Sequence, residues 1–258
     1  LQGQARLWAA QAPAKPSGPK PKKTAKAEKK SPSPLFELTP PAPDGQTLDP
    51  QQTRAVEHQG GPLLVRAGPG SGKTRMLVHR AARLLEQGRD PAGLVLVTFT
   101  RKAAAELAER LAVLSNRASL VQVTTFHGLG WRILAQARGQ DPRVLKDEER
   151  LDLIRPLAKA AGEKPARLAE ALSLCKQTAQ QPDEPERAAL LQAYQAALAQ
   201  AGAVDLDDLV REAVLALRQN QSLVNEWQGR LRHILVDEYQ DVNPAQVELL
   251  RILAGGGA

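Results

Sequence analysis

The sequence predicts an α/β fold in which a parallel sheet is flanked by helices, carries a phosphate loop and is interrupted by an all-helical insertion. Three observations point there. Short apolar, partly β-branched runs recur at 63–65, 94–97, 121–123 and 233–236, each too brief for a helix and each closed by polar or turn residues. The first empties into Ala67-Gly68-Pro69-Gly70-Ser71-Gly72-Lys73-Thr74, after which Leu77, Val78, Ala81, Leu84 and Leu85 recur at helical spacing. Strand, glycine turn and helix form the context that a phosphate loop requires. The last run ends in Asp237-Glu238, the acidic pair that completes a phosphate-loop ATPase.

The chain opens with a different composition. Residues 1–45 hold nine of the nineteen prolines and eight Lys or Arg against three acids, so they supply +5 of the net charge of +7. Low hydrophobicity with Pro and Lys predicts a disordered basic linker, and a DNA-gripping arm is the alternative. The remaining body is close to neutral, so any nucleic-acid groove must be local. No apolar run approaches the roughly twenty residues of a membrane span, and no signal-peptide pattern is present. The lone Cys175 excludes an internal disulfide, suits a reducing compartment and reads as a small helical core residue. A cytoplasmic, nucleoid-associated location is therefore expected. A chain that begins at Leu1 and stops just after a helical run is expected to be an excerpt, with a possible domain upstream of the linker.

Globular composition begins near residue 46. Asp49 and Pro50 suit the N-cap and first position of a helix, and the Gln52 amide can pair with the donor and acceptor edge of adenine. A buried strand over 63–67 leads into the phosphate loop. There, converging backbone N–H groups and the helix N-terminus favour an anion. Lys73 is placed to reach the terminal phosphates of a nucleoside triphosphate, with Thr74 on its Mg²⁺. Glycines spaced Gly68, Gly70, Gly72 fit a dinucleotide fingerprint less well.

A second strand, 94–97, ends in Thr98-Phe99-Thr100-Arg101-Lys102, and a helix follows to about Leu114. A third, 121–123, ends in Thr124-Thr125-Phe126-His127-Gly128. Both ends gather hydroxyls, an aromatic ring and a cation at the carboxyl edge of a sheet, where open α/β folds bind ligands. Phe99 can stack on a base, or both phenylalanines can be core. From 139 to 221 the strands stop and helical spacing takes over, which defines the insertion within a split α/β domain of 46–138 and 222–258. After the strand 233–236, Asp237 is assigned to Mg²⁺ and Glu238 to the attacking water.

In this order the motifs resemble the UvrD/Rep/PcrA family of superfamily 1 DNA helicases. Leu48 to Gln52 is similar to its Q motif, and Ala67 to Thr74 to motif I, with Ala67 where glycine is usual. Residues 98–104 are similar to motif Ia, with Arg101 where Asn is usual. Thr125 to Gly128 is similar to motif Ib, with Gly128 where Ser is usual, and Val236 to Pro244 to motif II. Asp205 to Leu209 is similar to a segment closing the family's helical insertion.

The resemblance implies a RecA-like domain 1A interrupted by domain 1B. It implies ATP and Mg²⁺ as cofactors, with Gln52, residues 67–74 and Arg75 holding the nucleotide. It implies Thr98, Phe99, Thr100, Arg101, Thr125 and His127 as contacts to single-stranded DNA or a single/double-strand junction, and Gln240 as the link from γ-phosphate to DNA. Motifs III to VI and the second RecA-like domain are not among these 258 residues, so weak hydrolysis and no unwinding by the chain alone are expected. The intact parent would be a 3′-to-5′ DNA translocase with repair proteins as possible partners. The competing readings are a phosphate-loop ATPase uncoupled from DNA and a binding module that uses the basic arm.

Overall fold

The computed structural model describes residues 48–68, 70–178 and 184–255. The expected linker over 1–45, Pro69 of the glycine turn and the last three residues lie outside the described residues. The elements run α1 (Pro50–Glu57), α2 (Lys73–Glu86), β1 (Leu94–Thr98), α3 (Arg101–Leu114), β2 (Gln122–Thr125) and α4 (Phe126–Arg138). They continue as α5 (Asp147–Ala161), α6 (Pro165–Gln177), α7 (Pro185–Gln200), α8 (Leu206–Gln219), α9 (Gln221–Arg230), β3 (His233–Val236) and α10 (Pro244–Leu253).

The sheet is parallel in the order β2-β1-β3. Val95 stands opposite Gln122 on one side and Ile234 on the other, so the ends of β1, β2 and β3 reach the same edge. Central β1 is buried along its whole length, as expected of a Val/Leu run covered on both faces. On one face Leu77, Val78, Ala81 and Leu84 of α2 and Leu107 and Leu111 of α3 meet Leu94 and Leu96. On the other, Val95 and Val97 meet Phe126, Leu129 and Ile133 of α4, with Trp227 of α9 and Leu249 of α10.

One expected strand is not in the sheet. Residues 62–68 run without a ladder partner among the described residues, and Leu63 and Leu64 are 49% and 64% exposed. An apolar run becomes a strand only where a neighbour takes its N–H and C=O groups. None of β1, β2 and β3 does so here.

Between β2 and β3 the described residues form helices and turns, apart from a single bridge between Val144 and Val204. Helices α5, α6 and α7 have their own core, around Ile154, Leu168, Leu172, Leu191 and Tyr194. Helix α8 lies within the span assigned to the insertion, yet Val210, Ala213, Val214 and Leu217 pack into the core beside β1 and α4. Half-buried Cys175 packs against the α5–α7 core, and burial pushes its thiol up. No helix among the described residues is long and apolar enough to cross a membrane.

Candidate nucleotide and nucleic-acid site

The glycine turn is shaped by backbone conformations that side chains resist. Gly70 and Gly72 sit at φ +70° and +78°, and Gly72 caps α2 in the left-handed region. A Cβ on Gly72 would stand 3.0 Å from the Gln52 amide nitrogen. That amide donates to the Ser71 carbonyl at 2.8 Å, while the Ser71 hydroxyl donates to Gly68 O at 2.7 Å. Helix α1, fixed by an Asp49/Gln52 capping box, is thereby tied to the turn. Lys73 opens α2 and folds back, its ammonium donating to the carbonyls of Ala67 and Gly68 at 3.2 Å each. Arg75 follows in the first turn of α2.

Across the chain, Thr74 meets the acidic pair. Its hydroxyl donates to Asp237 Oδ2 at 3.4 Å, although 163 positions separate the two residues. Asp237 is buried, with its amide donating to Val97 O. Burial, and then the Glu238 carboxylate, push its carboxyl above the usual range. Glu238 adopts φ +52°, the one non-glycine left-handed conformation among the described residues, a strained geometry of the kind that collects at functional sites. Gln240 donates to the Glu238 carboxylate.

A cavity of about 300 Å³ opens beside this pair, lined by Thr74, Thr98, Thr100, Asp237, Glu238 and Asp241 among others. Its hydroxyl and carboxylate oxygens are hard donors suited to Mg²⁺. The buried Asp237 carboxylate, pressed by its neighbour, gains from a cation. The residues present therefore fit a magnesium–triphosphate. Glu106 and Arg110 of α3 also line this cavity, paired with each other at 2.5 Å. Sequence reasoning misses both, although Ala103, Glu106, Leu107 and Arg110 recur at the spacing of one helix face.

The other expected residues collect at the same sheet edge. Thr98 is buried at the end of β1, and Thr100 caps α3 by accepting from Ala103 N at 3.0 Å. Arg101 is exposed in the first turn of α3. Thr125 caps α4, accepting from Gly128 N at 3.0 Å. Half-buried Phe99 lies against Phe126, ring centres 5.5 Å apart, while Phe126 is 1% exposed and belongs to the core. The space a side chain at 128 would claim is taken by the Thr124 hydroxyl, which lies 2.4 Å from where a Cβ would stand. His127 is half-buried in the first turn of α4; burial lowers its pKa and Asp207 of α8 pulls it back up. A larger cavity, about 500 Å³, lies at the other end of β3 beside His233, apart from all of these residues.

Residues 48–258 match the family model described as the UvrD/REP helicase N-terminal domain. The chain is similar to the ATP-dependent DNA helicase UvrD1 of Mycobacterium tuberculosis, 36% identical over 83% of this chain and 32% of the relative. It is similar to the ATP-dependent DNA helicase Rep of Escherichia coli, 34% identical over 82% of this chain and 35% of the relative. The ATP-dependent DNA helicase PcrA of Staphylococcus aureus is 31% identical over 80% of this chain and 31% of its own length. The chain spans about a third of the length of the curated relatives it matches.

Proposed function

The chain belongs to the UvrD/REP helicase family, and from that premise we propose that it forms the ATP-binding half of a DNA motor that moves 3′-to-5′ along single-stranded DNA. The observation that carries the reading is the meeting of Thr74 and Asp237 beside the glycine turn. A phosphate loop and an acidic strand end brought together across so long a stretch have the donor set of one metal–triphosphate site.

In this reading the backbone N–H groups of residues 67–74 other than Pro69, together with the α2 N-terminus, receive the phosphates. Lys73 exchanges its two carbonyl acceptors for phosphate oxygens, at little strain to a long flexible side chain. Thr74 and Asp237 hold the Mg²⁺, Gln52 reads adenine and Arg75 flanks it. Bound Mg²⁺·ATP supplies the γ-phosphoryl group that is transferred to water. Glu238 accepts the proton of that water, and Gln240, which touches Glu238, reports the state of the site to the DNA face. Thr98, Phe99, Thr100, Arg101, Thr125 and His127 face single-stranded DNA through hydroxyls, cations and one aromatic ring. Arginines from a second domain speed phosphoryl transfer by orders of magnitude in such enzymes generally. These 258 residues alone therefore hydrolyse ATP slowly and do not unwind.

The burial of Phe126 and its contact with Phe99 favour a second reading, an ATPase whose phenylalanines are only core. One pair of titrations separates the two. Wild-type chain is expected to bind a fluorescent ATP analogue with Mg²⁺ and, separately, a labelled oligo-dT. Lys73→Ala is expected to lose the first by at least about tenfold, roughly 1.4 kcal/mol, while keeping the wild-type melting temperature and the second. Nucleotide binding untouched by Lys73→Ala would overturn the site, and absent oligo-dT binding would favour the uncoupled ATPase.

A further inference from the structure

The cavity of about 500 Å³ at the far end of β3 is lined by Arg80, Arg89 and Arg232, by His58 and His233, and by a single acid, Asp90, among the described residues. The chain beyond residue 45 is close to neutral, so three guanidinium groups around one opening are a local concentration of charge. Each is carried by a fixed piece of backbone. Arg80 of α2 donates to Val56 O at 2.7 Å, which holds it against the last turn of α1. Gly88 turns the chain at φ +78° after α2, and Arg89 N donates back to Leu84 O at 3.1 Å. Arg232 N donates to Gly93 O at 2.8 Å just before β3, and its Cγ lies 3.3 Å from where a Cβ on Gly93 would stand. Asp90 is engaged elsewhere, accepting from Ala92 N at 3.0 Å. Among the described residues neither Arg89 nor Arg232 forms an ion pair. The cations press on one another instead. Burial and then Arg89 lower the Arg80 pKa, and burial with Arg89 and Arg80 lowers that of His233.

We propose that this cavity is a second DNA contact, a socket for one backbone phosphate at the sheet edge opposite the nucleotide site. A phosphate relieves the mutual repulsion of the arginines, and the guanidinium fork matches its oxygens. No Phe, Tyr or Trp lines the cavity, so nothing there stacks on a base. A contact of that kind reads backbone without sequence, and it suits duplex DNA, whose phosphates lie outside its stacked bases. Gln59, Gly60, Arg89 and Arg232 are exposed, so a phosphate still joined to its strand can enter between them. The socket stands apart from the expected single-strand face. His233 opens β3 and Asp237 follows its end, a separation of roughly 13 Å along a parallel strand.

The test uses the whole chain and the double variant Arg89→Gln, Arg232→Gln. Binding of a labelled hairpin duplex is followed by anisotropy over a salt series, and the His233 imidazole is followed by NMR. The hairpin is expected to move the His233 resonance in wild type and not in the variant. The slope of log affinity against log salt is expected to fall by about 0.9 in the variant, the share of one duplex phosphate. Binding of the ATP analogue is expected to stay at the wild-type level. Arg89→Gln alone, on a turn outside any helix, is expected to lower the slope in the same direction by less, and it carries the test should the double variant melt early. An unchanged slope in both variants, or a hairpin that leaves His233 unmoved, would overturn the proposal while the motor reading stands on its own oligo-dT titration. Inorganic phosphate that moves His233 where the hairpin does not would give the cavity to a free anion and overturn the DNA contact.

Discussion

At the scale of single residues, the site is a place where the fold tolerates electrostatic cost. Asp237 is buried beside Glu238, and Glu238 holds a left-handed backbone conformation that most residues avoid. A carboxyl whose folded pKa is raised opposes folding once the pH is above that value, and the opposition is relieved as the pH falls through it. Asp237→Asn should therefore stabilise the ligand-free chain near neutral pH. Relief of about 1 kcal/mol would raise the melting temperature by about 2–4 °C. The same variant should lose the Mg²⁺ dependence of nucleotide binding, and differential scanning calorimetry with and without Mg²⁺ reads both effects. A melting point that falls would mean that Asp237 is held by favourable contacts instead. Lys73, Thr74 and Asp237 were legible in the sequence because each ends an apolar run or a glycine turn. Glu106 and Arg110 were not, because an exposed Glu–Arg pair four residues apart is ordinary on any helix surface, and the cavity it lines comes from another strand.

Among elements, the close crossing of α4 and α8 decides most. Gly130 lies mid-helix, where glycine costs about 1 kcal/mol relative to alanine in a free helix. Here the ordinary preference reverses, since an alanine Cβ would collide with the Leu209 carbonyl. Gly130→Ala should destabilise by about 1–3 kcal/mol, as overpacked cores do. A thermal melt reads it, and a variant as stable as wild type would show that α4 and α8 part without cost. The segment 62–68 teaches the opposite lesson. Its apolar, β-branched composition predicts a buried strand, but ladder hydrogen bonds need a neighbour, and residues 63 and 64 stay exposed without one. Helix α8 reads in sequence as one more amphipathic helix of the insertion. Its two faces serve different partners, with Asp205 and Asp208 held by Lys176 and Val210 and Val214 joined to the core of the sheet.

At the scale of the whole molecule, the described residues form two cores that cover the faces of the sheet, one that serves α5, α6 and α7, and a small cluster of Leu134, Val204 and Leu209. Histidines at two distant points answer to burial in the same sense. Burial lowers His127, with Asp207 opposing, and burial with Arg89 and Arg80 lowers His233. Protonation is thus easier in the unfolded chain, whose histidines titrate near 6.5. The stability these neutral imidazoles allow is complete above that value, and it is lost as the pH falls from there through their lowered folded values. Melting temperatures taken between pH 7.5 and 5.5 should fall more steeply for wild type than for the double variant His127→Asn, His233→Asn. Parallel slopes would show that other groups govern the acid response.

The sequence by itself determined the candidate chemistry and the local grammar: a glycine turn ahead of Lys73, an acidic pair closing a strand, the cap at Asp49, and the family to which their order points. These follow from residue type and short-range spacing, which a linear reading can follow. Only the tertiary structure decided that Thr74 and Asp237 touch, that α3 lends Glu106 and Arg110 to their cavity, and that 62–68 lacks a ladder partner among the described residues. The reason is that each depends on which surfaces meet after packing, and burial, close approach and opposing charge are properties of a pair of residues that neither carries in its own stretch of chain.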